Sequence, residues 1–299
     1  MTPGTRGMLW MLGAALFFST SVGFVRHLSE TLNTFEIVFI RQLIGVVFMV
    51  PWLMRIGVSS MRTSRLPMLT LRAALSYTGM LASYYAYTLI VLADAVALQF
   101  TTPLFTTILA IVFLKEIVGK HRWAALVFGF VGVGIIVRPG FEAVNAGVPI
   151  AILAAVLYGS SNVTNRALTS TESTSVIMFY GFLLQLPMAA IPAAIVWVTP
   201  GWDHVLPLLG FGAVAFGAQY CLTRSFAVAD ASLVEPVMFI RLPCVAAIGY
   251  FLFAQTPDLW TWIGAAVIFI STYVLARAEA AQEKKAETAI SSASGHDPR

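Results

Sequence analysis

A chain of 299 residues that is 59% hydrophobic and only 11% charged stands apart from soluble globular chains, in which about a quarter of residues are charged. With a mean hydropathy of +0.84 and a formal net charge of +4 from 18 basic and 14 acidic residues, it reads as an integral membrane protein with basic loops and not as a nucleic-acid binder. Its two cysteines, Cys221 and Cys244, lie in apolar runs and offer neither a disulfide framework nor a metal-ligand spacing.

Taken in chain order, long apolar runs predict ten membrane helices over 8–28, 34–54, 67–91, 94–114, 122–138, 147–167, 174–198, 205–228, 231–253 and 259–277, each close to the ~20 residues that cross a bilayer. The first follows Arg6 in the manner of a signal peptide. It is too long for one, however, and no small-residue cleavage site follows, so it is expected to stay in place. Asp94 and Asp230 fall in the tightest hairpins and read as caps for the orphan amides of the next helix. Pro103, Pro187, Pro192, Pro236 and Pro243 lie inside spans and permit kinks. Of these, Pro103, Pro236 and Pro243 are the candidate hinges. All seven tryptophans fall near span ends, as in an aromatic belt. Residues 278–299 read as a charged tail, mostly disordered beyond a turn or two of helix. Lys and Arg concentrate on one side, with only Arg26 and Arg138 opposite. That places both termini in the cytoplasm of a bacterial inner membrane.

The chain repeats itself. Ala-Asp-Ala recurs at 93–95 and 229–231, setting Asp94 and Gln99 136 residues before Asp230 and Glu235; Ala82 and Tyr84 match Ala218 and Tyr220 at the same spacing. A 140-residue spacing matches Arg26 to Arg166, Leu28 to Leu168, and Thr34, Ile37 and Phe39 to Thr174, Ile177 and Phe179. The reading is an all-α integral membrane protein of ten transmembrane helices arranged as two inverted five-helix repeats, residues 1–140 and 141–277. Five crossings per half invert the second half, and such repeats place a substrate site near the midplane between them.

These residues, above all ADAVALQFTTPLFTTILAIVFLKE at 93–116 and ADASLVEPVMF at 229–239, resemble the drug/metabolite transporter superfamily. Within it they are most similar to the EamA-type ten-helix exporters and, more loosely, to the YddG-type amino-acid exporter branch. Where the second half should repeat the Lys115-Glu116 pair it has Ala254-Gln255. The resemblance implies a secondary transporter exporting amino acids, aromatic or other small zwitterionic metabolites, by alternating access. It would act as a monomer among membrane lipids.

Charge inside a span is costly, about 2.5–3.5 kcal/mol at the helix centre. Arg241 lies eleven residues past Asp230, roughly 16 Å deep at about 1.5 Å per residue. Two readings are open for it: a bidentate clamp on a substrate carboxylate, or a structural ion pair with Glu36 or Glu235. Arg41, seven residues into its span with Glu36 nearby, reads as structural. Glu235, Gln99, Tyr84, Tyr158, Asn162, Gln219 and Tyr220 are the further candidates for substrate binding. The sequence has no G-x-x-x-x-G-K-[ST], H-E-x-x-H or G-x-S-x-G pattern, so neither ATP hydrolysis nor an intramembrane hydrolase is expected, nor a cofactor or metal. Two other readings stay open: transport of another metabolite or drug on the same fold, and a membrane protein that binds without transporting.

Overall fold

The computed structural model describes residues 3–56, 63–115, 119–138, 145–169, 171–229 and 231–293. Among these, every regular element is helical: α1 Pro3–Leu28, α2 Thr34–Ile56, α3 Leu66–Leu89, α4 Leu92–Gln99, α5 Thr102–Leu114, α6 Lys120–Val137, α7 Gly147–Thr169, α8 Thr174–Val196, α9 Trp202–Val228, α10 Ala231–Val234, α11 Arg241–Phe253 and α12 Leu259–Ala293, with a 3-10 segment, Glu235–Ile240, between α10 and α11. Seven helical segments are long and apolar enough to cross a membrane, and Arg122–Val137 is a shorter apolar one. Helices α2 and α3, of 23 and 24 residues, complete the ten crossings. Asp230 and Glu116 lie outside the described residues.

Local chemistry accounts for the helix ends. Asn33 and Glu36 form a capping box at the start of α2: Asn33 Oδ1 accepts from the Phe35 amide at 3.1 Å, and Glu36 Oε2 accepts from the Asn33 amide at 2.9 Å. Ser173 Oγ accepts from the Val176 amide at 3.3 Å to start α8. Helices α5 and α11, each 13 residues long, both stop on a left-handed residue, Lys115 at φ 56° and Ala254 at φ 51°. The two stops lie 139 residues apart, so Ala254 keeps the left-handed backbone of Lys115 with a different side chain.

Packing follows a pseudo-two-fold. The principal pairs are α1 with α9 and α3 with α7, α2 with α8, and α6 with α12; then α5 with α7 and α11 with α1, and α3 with α8 and α2 with α9. Exchanging the two halves maps every one of these pairs onto another or onto itself. With five crossings per half, the halves are inverted with respect to each other. Helices α6 and α12 cross at Gly132 and Gly264, where an added Cβ would meet the partner glycine's carbonyl oxygen at 2.9 and 2.7 Å. Only glycine permits that approach.

The exterior is apolar and part of the interior is not. Met54, Phe113, Ile195, Leu206 and Phe251 are exposed, while Glu36, Gln42, Ser83, Thr101 and Gln185 are buried. A lipid solvent accounts for that inversion.

Two predicted spans are broken. The fourth is interrupted at Phe100–Thr101 and the ninth by the 3-10 segment. Pro103 is the second residue of α5, just after the first break, and Pro236 the second residue of the 3-10 segment that forms the other, positions where a missing amide proton costs least. Pro187 and Pro192, by contrast, lie within a continuous α8. The tail also departs from its expected disorder, since α12 continues to Ala293. Its Ala-, Glu- and Lys-rich sequence consists of strong helix formers.

Candidate functional site

The two breaks face each other across the pseudo-axis. Phe100 from the first stacks on Phe239 from the second, ring centroids 4.1 Å apart. Beside them lies a cavity of about 460 Å³, within the range of small-molecule sites. Both halves build its wall. Arg41, Gln42, Arg72, Tyr84, Tyr87 and Gln99 come from the first, and Tyr158, Asn162, Gln185, Gln219 and Arg241 from the second.

Arg241 opens α11 at mid-depth because the 3-10 segment ends immediately before it. Its Nη2 donates to the Tyr87 hydroxyl at 3.2 Å, and its guanidinium lies 5.6 Å from the centroid of the Phe18 ring. Gln99 Nε2 donates to the same hydroxyl at 2.7 Å. Tyr87 therefore accepts twice and keeps its own O–H to donate. Arg41 Nη1 donates to Gln42 Oε1 at 2.9 Å and approaches Met80 Sδ at 3.2 Å. The Gln42 amide in turn donates to Gln185 Oε1 across the two halves. Arg72 Nη1 reaches the Ile177 carbonyl at 3.4 Å. Among the described residues none of these three arginines has an ion pair, and the Nε of each is buried without a partner. Tyr84 lies within electrostatic reach of both Arg41 and Arg241 and stacks on Tyr87 at 6.0 Å. The site is rich in donors and carries no acid among its described lining residues.

Arg241, Gln99, Tyr84, Tyr158, Asn162 and Gln219 thus meet in one cavity. Tyr220 does not. It is half exposed and meets Trp10 edge-on at 5.8 Å, because one residue beyond Gln219 is a turn of about 100° around α9. The Glu235 side chain lies outside the described residues. Pro103 and Pro236 line a second cavity, also about 460 Å³, which shares Phe100, Asn162, Leu222 and Met238 with the first and continues past Arg166 and Phe226. Pro243 is exposed on the third position of α11.

Two expectations need correction. Arg41 faces the cavity and not Glu36, whose Oε1 accepts instead from the Val198 amide at 2.6 Å. Asp94 is no N-cap: it stands third in α4 and accepts from Thr261 Oγ1 at 2.6 Å. Sequence reasoning missed Arg72 and Tyr87. The available signal for Arg72 was a charge six residues inside α3.

The end of the bundle opposite the second cavity is closed by polar links between the halves. Besides the Glu36–Val198 and Asp94–Thr261 contacts, Gln255 Oε1 accepts from the Leu92 amide at 3.0 Å, Asn145 Nδ2 donates to the Leu89 carbonyl at 3.0 Å, and Arg138 pairs with Asp258 at 2.5 Å. Arg26 Nη1 caps the end of α3 there through the Tyr87 and Thr88 carbonyls at 2.9 and 2.6 Å.

Ten helices in two inverted repeats, with broken helices meeting at an interior cavity, define a membrane transporter fold. The EamA-like transporter family matches over residues 5–138 and 145–277, and the chain belongs to it. It is 31% identical over 285 residues to a riboflavin transporter of Vibrio cholerae, covering 94% of this chain and 96% of the relative. It is 27% identical over 283 residues to an S-adenosylmethionine uptake transporter of Rickettsia felis (94% and 96%). It is also 29% identical over 280 residues to the pseudopaline exporter CntI of Pseudomonas aeruginosa (91% and 96%). A solved crystal structure shares the fold at a TM-score of 0.64 and 18% identity, over 91% of this chain and 98% of that one. The protein is thus a multi-pass membrane transporter of this type.

Proposed function

We propose that the protein is a secondary transporter exporting small carboxylate-bearing metabolites, amino acids or their derivatives, across a bacterial inner membrane by alternating access. One observation carries the reading. Arg241 sits at a helix break at mid-depth, in a cavity built by both halves, with only neutral partners among the described residues. A guanidinium so placed suits a carboxylate held in a bidentate fork, with Tyr87 as a further donor. With both termini cytoplasmic, the linked end is the periplasmic one and the second cavity leads inward. The conformation described is then inward-facing, ready to load a cytoplasmic substrate.

A second reading has its own support. Phe18, Tyr84, Phe100 and Tyr158 line the same cavity and suit a flat heteroaromatic ring, and a relative of this length is named a riboflavin transporter. Counterflow in proteoliposomes containing the purified protein tests both, using labelled aromatic, aliphatic and acidic amino acids beside riboflavin. Saturable exchange of amino acids that collapses in Arg241→Gln supports the first reading. Exchange of riboflavin alone moves the assignment to the second. No exchange by folded protein leaves a binder and removes transport of these solutes.

A further inference from the structure

We infer that the cavity is built for a substrate carrying two separated anionic groups, one met by Arg241 and the other by Arg41. The inference rests on the transport reading and sharpens it. Three guanidinium groups line one cavity whose described wall holds no acid, and each keeps a buried Nε without a partner. Their contacts are a phenol, an amide, a thioether and a backbone carbonyl, so no side chain among the described residues offsets their charge.

The arginines also lie at different depths. Counted from the end of the bundle where α2 begins and α3 and α11 stop, Arg41 lies roughly 10 Å in, Arg241 about 18 Å and Arg72 about 25 Å at the α-helical rise. A single carboxylate neutralises one of three charges and leaves the others without a counter-charge among the described residues, which is costly at this depth. Two carboxylates, or a carboxylate and a phosphate, joined by a short or aromatic spacer against Tyr84 answer Arg241 and Arg41, about 8 Å apart in depth. Gly181 leaves room for the Arg72 guanidinium, since a Cβ there would meet its Nη1 at 3.1 Å.

The experiment is calorimetric titration of the full-length protein in nanodiscs with matched pairs: L-glutamate and L-glutamine, O-phospho-L-serine and L-serine, quinolinate and nicotinate. The second anionic group is expected to tighten binding about tenfold or more in at least one pair. The phospho pair distinguishes phosphate from carboxylate. Arg41→Gln should bring that ratio close to one, weakening the doubly anionic partner of the pair far more than the singly anionic one. The ratio in the unaltered protein serves alone if the variant does not fold. Equal affinities within every pair overturn the inference, and the transport reading survives if the single carboxylates still exchange in liposomes. No binding and no exchange with any probe would remove both.

Discussion

Glu36→Gln should shift the balance between the two ends of the bundle. The Glu36 carboxylate is fully buried and accepts two backbone amides, Asn33 at 2.9 Å within its own helix start and Val198 at 2.6 Å from the second half. Only the Val198 bond is lost when the halves part at this end, so only that bond biases the equilibrium. A hydrogen bond to a charged group contributes about 1.5–3 kcal/mol, and a neutral acceptor supplies roughly half of that. The amide therefore weakens the closed end by about 1–1.5 kcal/mol, close to tenfold in population. In a background lacking Cys221 and Cys244, Ser21→Cys places a thiol on the cavity wall. An impermeant maleimide applied to the linked face should then label Glu36→Gln about ten times faster than the parent. An unchanged labelling rate in folded protein would refute the idea that this contact holds the end shut.

Three more outcomes follow from the contacts. Gln42→Leu strands the buried Gln185 amide and removes the Arg41 Nη1 acceptor and should destabilise by about 1–3 kcal/mol; adding Gln185→Leu should recover only the Gln185 part of that in a thermal melt followed by size-exclusion chromatography. Gly264→Val drives side-chain atoms into the Gly132 carbonyl and should cost about 1–3 kcal/mol or more, seen as loss of monodisperse protein, whereas Gly134, with open space around its Cβ position, should accept alanine. Arg26→Met uncaps the last turn of α3 and should lower the melting midpoint, while Arg26→Lys, which can still reach one of the two carbonyls, should lower it less.

The sequence made some of this legible and hid the rest for definite reasons. Span count, repeat spacing and the depth of Arg241 are one-dimensional quantities, and hydropathy with a fixed rise per residue yields them. Rotation about a helix axis is not of that kind. A helix apolar on nearly every side, such as α9, gives no stripe from which to tell Gln219, on the cavity wall, from Tyr220, half exposed against Trp10. Arg41 was assigned to Glu36 on proximity in sequence. The structure separates them because five residues of helix turn through about 500°, and because Glu36 is already held by two amides. Arg72 escaped notice because it lies near a span end, where a charge reads as a loop residue until packing against α7 and α8 encloses it.

The two broken helices are not equal, and the difference has a mechanical meaning. The first half interrupts its helix with Phe100–Thr101, the second with six residues of 3-10 geometry; the Ala-Asp-Ala sequences lie 136 residues apart but the left-handed stops 139. A 3-10 turn rises about 2.0 Å per residue against 1.5 Å in an α-helix and winds about 120° against 100°. Rewinding Glu235–Ile240 as α-helix would shorten the segment by about 3 Å and unwind about 120°, carrying the Arg241 guanidinium off the Tyr87 hydroxyl. If it rewound, the segment that aims the arginine would thus supply a stroke of that size, in one half of an otherwise two-fold frame.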